Sequence, residues 1–145
     1  MADVKRMAKI MKLNNVDGTV VHHCAIVVKY LTQKRINARI IHGYCISPGE
    51  ICEHYWVRVN PEGLDLDIGY ELACLWNPEL MTLQTVLTED FPVGLKGPDG
   101  KEPDVLRQED NQRLFELYET DPKTFWFDAP MKVKSFLVSK FSRQT

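Results

Sequence analysis

The stretch Glu53-His54-Tyr55-Trp56-Val57-Arg58-Val59-Asn60-Pro61-Glu62-Gly63-Leu64-Asp65-Leu66-Asp67-Ile68 decides how this chain is read. Two runs of strand-forming residues flank Asn60-Pro61-Glu62-Gly63, a cluster of turn chemistry. Pairing the runs around that turn sets Val59 opposite Leu64, Arg58 opposite Asp65, Val57 opposite Leu66 and Trp56 opposite Asp67. His54 then lies opposite Gly69 and diagonal to Asp67. In this register Val57, Val59, Leu64 and Leu66 share an apolar face while His54 and Asp67 share the other, so no charge is forced into a core. Arg58 gives Asp65 a cross-strand partner, which leaves Asp67 as the carboxylate free to accept an imidazole N–H.

Upstream, residues 37–46 form a second strand-like run, joined to residues 51–59 through Ser47-Pro48-Gly49-Glu50. Connections this short favour antiparallel hairpins, so residues 37–68 read as a meander. Before it, residues 20–34 form the most apolar helix of the chain, entered through Asn14, Asn15, Asp17, Gly18 and Thr19, which are turn and N-cap types. Cys24, Val27, Val28 and Leu31 fall at i, i+3, i+4 and i+7, and Val20, Val21 and Ile26 fill the other faces, the pattern of a helix buried on most sides. Val4, Met7, Ala8 and Met11 mark an amphipathic helix at the N-terminus. Downstream, a Pro/Gly-rich loop over 91–103 precedes expected helices near 104–119 and 130–141. Leu106, Leu114 and Leu117 mark the inner face of the first, and Val133, Phe136, Leu137 and Phe141 that of the second. Phe125, Trp126 and Phe127 between them are expected to cap a core. The fold class is therefore α+β: a buried helix packed on a small antiparallel sheet, with additional C-terminal helices. One domain is expected over 1–145, its core at about 14–76 and a helical extension at about 77–145.

At 145 residues and 44% hydrophobic, the chain can bury one sizeable core and is too short for two. A net charge of -2, with 18 Lys and Arg scattered along the chain, leaves no electrostatic footprint for nucleic acid or an anionic membrane. The N-terminal helix lacks the continuous apolar stretch of a signal peptide, and no segment approaches the roughly 20 apolar residues of a membrane span. A soluble, cytoplasmic protein is expected, in which Cys24, Cys45, Cys52 and Cys74 serve packing, metal binding or catalysis more readily than disulfides. His22, His23, Cys24, Cys52 and His54 are zinc-ligand types, but no C-x-x-C or H-x-x-x-H clamp is present, so neither a metal nor a cofactor is assigned. His42, Cys45 and Cys74 lie on apolar runs and read as packing residues.

A thiol near the start of a buried helix gains from the partial positive charge there, and a nearby imidazolium favours the thiolate further. Cys24, His54 and Asp67 supply the types of nucleophile, base and orienting group in helix, strand, strand order. With Ala38-Arg39-Ile40-Ile41-His42-Gly43-Tyr44 and His54-Tyr55-Trp56 between them, residues 20–70 resemble the transglutaminase-like superfamily, which includes transglutaminases, peptide N-glycanases and many microbial cysteine proteases. The resemblance implies that Cys24 is the nucleophile, His54 the general base and then acid, Asp67 the orienting carboxylate, and Trp56 a substrate-binding wall of the site. The implied reaction is acyl transfer from an amide or ester, in a peptide or protein, to Cys24 and then to water or an amine. The chain departs from the family pattern at Ile68, where proline is common, and at Gly18, where a glutamine at papain-like spacing would fall. The alternative is a transglutaminase-like module without catalysis that binds a partner protein through its cleft or its Pro/Gly-rich loop.

Overall fold

The computed structural model describes residues 2–16, 18–48, 50–82, 84–97 and 99–141. The second helix, α2 (Val20–Gln33), follows α1 (Ala2–Leu13) and is fixed at its start by a local exchange of hydrogen bonds. The Val21 N–H donates to Thr19 Oγ1 at 3.2 Å, and the Thr19 N–H donates to His22 Nδ1 at 3.0 Å. Two backbone donors that the helix leaves orphaned are thereby satisfied, and His22 is committed to capping. Val21, Cys24, Ala25, Ile26, Val27, Val28 and Leu31 are all buried, the all-round burial that the helix's composition predicts.

Beneath α2 lies a sheet of β1 (Asn37–Ser47), β2 (Glu50–Asn60), β3 (Leu64–Leu66), β4 (Val86–Thr88) and β5 (Val105–Leu106). Its order is β3-β2-β1-β4, antiparallel throughout, with β5 added parallel to β2 at Ile51 and Cys52. β1 and β2 pair along their full length, from Asn37 opposite Asn60 to Ser47 opposite Glu50. The register of β2 on β3 is the one the turn predicts: Val57 with Leu66, Arg58 with Asp65, Val59 with Leu64. Gly63 closes that turn at a φ of +71°, where a side chain would be strained. Since β1 occupies one edge of β2, both β3 and β5 lie on the other, and residues 53–56 have no described strand beside them there.

One face of the sheet, carrying Ile40, Tyr55, Val57, Val59 and Leu66, packs with α2, with Val4, Met7, Ala8 and Met11 of α1, and with Phe125, Val133 and Phe136. Trp56 and Ile41 are paired on the reverse face and are buried outside that cluster. Each large apolar side chain fully removed from water contributes about 1.5–3 kcal/mol, so α2 and the β1–β2 pair dominate the stabilising burial.

Several expectations are corrected. The third strand stops at Leu66, and residues from Ile68 to Trp76 form α3, with Asp67 as its N-cap. Leu64 is 41% exposed and does not join the buried face. The helix expected at 104–119 begins only at Glu109 (α4, Glu109–Thr120), because Val105 and Leu106 are drawn into the sheet by β2. A separate short helix, α5 (Pro122–Phe127), precedes α6 (Met131–Phe141), and a 3-10 turn spans Pro78–Thr82. Of the aromatic trio, Phe125 is buried and Phe127 is 76% exposed. The side chain of Phe141 lies outside the described residues. No described helix is long and apolar enough to cross a membrane.

Candidate functional site

His54 lies on β2 within the edge left bare between β3 and β5, and Asp67 meets it there from the start of α3. His54 Nε2 stands 2.9 Å from Asp67 Oδ1 and 2.8 Å from Oδ2. Asp67 Oδ1 also accepts the Tyr70 N–H at 3.0 Å, so one carboxylate both caps α3 and holds the imidazole. With Nε2 engaged, the ring is fixed in orientation and Nδ1 has no hydrogen-bond partner among the described residues. The pair is about five-sixths shielded, with side-chain exposures of 17% and 16%.

Trp56 supports this pair from below. Its ring stacks near that of His54, with centroids 6.1 Å apart at 25°, and the residue is fully buried. Gly43 makes room for it: a Cβ there would stand 2.6 Å from Trp56 Cη2 and 2.4 Å from the Thr88 carbonyl oxygen. Trp56 is thus a floor beneath His54, with no surface of its own to offer a ligand.

Cys24 is not brought to the pair. It is the fifth residue of α2, a turn too far for the helix terminus to act strongly on its thiol. Its Sγ–H donates to the Tyr55 carbonyl at 3.6 Å, and the residue is fully buried. Tyr55 belongs to the face packed on α2, whereas the neighbouring His54 projects the other way with Trp56, so the strand lies between thiol and imidazole. Burial, and then the charge of Asp67, push the Cys24 thiol well above its ordinary range, the opposite of nucleophile activation.

The residue of α2 that does flank His54 is Val20, its first. A Cβ placed on Gly69 would meet Val20 Cγ2 at 2.8 Å and His54 Cε1 at 3.4 Å, so Val20 and His54 border one small volume. From Val20 and Gly69 a cleft of about 450 Å³ opens outward, lined also by Met11, Val16, His23, Leu72 and Trp76. The Lys12 ammonium sits 4.7 Å from the Trp76 ring and donates to the Leu75 carbonyl at 3.1 Å, fixing the rim.

The other sequence candidates divide by face. His22 caps α2 and stacks on Phe125 at 5.2 Å; burial, with the charge of His23, lowers its pKa to about 4. His23 Nε2 reaches the Val16 carbonyl at 3.2 Å. Arg58 donates to Asp65 Oδ1 at 2.8 Å and is also paired with Glu89 across from β4. Cys45 and Cys52 are directly opposite each other and partly exposed, and Cys74 is buried.

Glu53 is a further residue of this region that no sequence motif singles out. Its carboxylate is 3% exposed, with His42 Nε2 at 3.5 Å and the Gln108 N–H donating at 3.3 Å, which ties β2 to the start of α4. A buried carboxylate of this kind is visible in sequence only as a charge at an inward position of a strand. Among the described residues no three of His, Cys, Asp and Glu are grouped to hold a metal ion.

The local arrangement holds an imidazole in a fixed orientation close to a cleft of mixed apolar and polar lining, with Val20 as the α2 side chain that borders the same small volume. No protein-family model, curated protein or solved structure matches this chain.

Proposed function

We propose that this chain is a transglutaminase-like module that engages a peptide or protein segment without thiol catalysis, and that its His54–Asp67 pair serves as a structural clip. The observation that carries this reading is the seating of Cys24 beneath the Tyr55 carbonyl while Val20 flanks the imidazole. The clip joins β2 to α3 and so sets one wall of the cleft bounded by Val20, Gly69, Leu72 and Trp76. Val20, Leu72 and Trp76 offer an apolar floor while Lys12, Asn15 and His23 supply polar groups, a lining suited to an apolar side chain and the peptide backbone that carries it.

The second reading is a cysteine-dependent hydrolase or acyltransferase acting on an amide through Cys24, His54 and Asp67. It is favoured by one specific observation, the oriented imidazole with Nδ1 unengaged. In that reaction Nδ1 would take the thiol proton, the thiolate would attack the amide carbonyl, and the imidazolium would return the proton to the leaving amine.

The two readings differ in the ionisation of one thiol. In a chain whose only cysteine is Cys24, ultraviolet thiolate absorbance is followed against pH. The binding-module reading expects no thiolate below pH 9.0, with or without His54→Ala, because burial raises the thiol above that value. A thiolate at neutral pH that disappears on His54→Ala would establish the catalytic reading instead.

A further inference from the structure

We infer that Cys45 and Cys52 form an oxidisable dithiol, a disulfide-forming modification site on the sheet face that carries His54. Their placement is independent of whether Cys24 is catalytic. The two residues are directly opposite in the antiparallel β1–β2 ladder. Opposite residues in such a ladder have Cα atoms about 4.5 or 5.5 Å apart and side chains on one face. Both spacings fall within the roughly 4.4–6.8 Å of Cα separation that a disulfide spans, so the bridge needs no change of strand register. Both residues are partly exposed, whereas Cys24 and Cys74 are buried, so a solution oxidant reaches this pair first. Cys52 precedes His54 by two positions and therefore shares its face, and Cys45 lies near enough for the charge of Asp67 to bear on it.

The oxidant class is a small-molecule disulfide such as oxidised glutathione. The Cys52 thiolate attacks one of its sulfurs; the S–S bond breaks, one glutathione departs as a thiolate and takes up the proton that Cys52 lost. The Cys45 thiolate then attacks the Cys52 sulfur of the mixed disulfide and expels the second glutathione, which takes up the proton of Cys45. Two protein thiols are oxidised to one disulfide and one small disulfide is reduced to two thiols. Cys45 is the slower to ionise, pushed to about 11 by burial and then by Asp67, so it suits the resolving role, where its partner is already in place.

The test exposes the full chain to oxidised glutathione at pH 8, followed by non-reducing peptide mapping. The expected product is a Cys45–Cys52 cross-linked peptide lighter by two hydrogens, reversed by dithiothreitol, with Cys24 and Cys74 still reduced. Cys45→Ser is expected to halt at a stable glutathione adduct on Cys52. If that variant does not fold, Cys52→Ser supplies the mirror test, with the adduct on Cys45. Oxidation is also expected to move the His54 Cε1–H resonance. A stable glutathione adduct in the wild-type chain, a bridge involving Cys24 or Cys74, or two thiols that stay reduced would each overturn the proposal.

Discussion

Replacing Asp67 by alanine removes two bonds that one carboxylate makes, and the cost of each can be worked from its geometry. As N-cap of α3 the side chain satisfies the Tyr70 N–H, a role worth about 1 kcal/mol. As partner of His54 Nε2 it makes a charge-assisted hydrogen bond, worth about 1.5–3 kcal/mol. Little of that is lost to solvent screening, because both side chains are more than four-fifths shielded. Asp67→Ala should therefore cost about 3 kcal/mol, or a fall in Tm of about 10 °C for a domain of this size. Asp67→Asn retains a capping oxygen and an acceptor for the imidazole N–H, so its cost should be about 1 kcal/mol. The assay is urea unfolding, with the midpoint shifting and the slope unchanged. A double-mutant cycle isolates the pair: in a His54→Ala background, Asp67→Ala should cost only the cap, leaving a coupling of about 2 kcal/mol. Equal losses for the alanine and asparagine variants, or a coupling below about 0.5 kcal/mol, would refute the reasoning that the carboxylate clips β2 to α3.

Three further outcomes are expected. Folded His22 resists protonation down to about pH 4 while the unfolded chain protonates it near 6.5, so stability should fall as pH drops through that window, by up to about 3 kcal/mol, and His22→Gln should flatten the profile in chemical denaturation at stepped pH. Gly43→Ala should cost about 1–3 kcal/mol and broaden or shift the Trp56 fluorescence, since the added methyl meets both the Thr88 carbonyl and the indole. Val20→Cys, in a chain lacking the other cysteines, should give a thiol whose alkylation at pH 7 slows at least about tenfold on His54→Ala, because the first residue of α2 has both the helix terminus and the imidazole beside it. An equal rate with and without His54 would show that Val20 does not face the ring.

The part of the fold carried by local pattern was legible in the sequence. The turn at 60–63 and the alternation on either side of it determine how β2 pairs with β3, and the all-round apolar character of 20–34 identifies α2 as the central helix. What was not legible depends on distant partners. Val105 and Leu106 are extended because Ile51 and Cys52 offer them an edge, and Val86–Thr88 because Tyr44, Cys45 and Ile46 do the same. The run Ile68-Gly69-Tyr70-Glu71-Leu72 reads as the end of a strand until Asp67 is recognised as a cap. At the site, register brought His54 toward Asp67, whereas the helix member could not be placed. A helix apolar on every face gives no signal of which residue turns toward the imidazole, and the structure sets Val20 there and Cys24 against Tyr55.

The measurement that bears most directly on this account is the rate at which each cysteine of the folded chain is alkylated by iodoacetamide at neutral pH, read residue by residue by mass spectrometry. Cys45 and Cys52 should be modified first, Cys24 and Cys74 should be protected to the extent that the fold is stable, and His54→Ala should leave this order unchanged. Cys24 modified ahead of Cys45 and Cys52, at a rate that falls on His54→Ala, would contradict it.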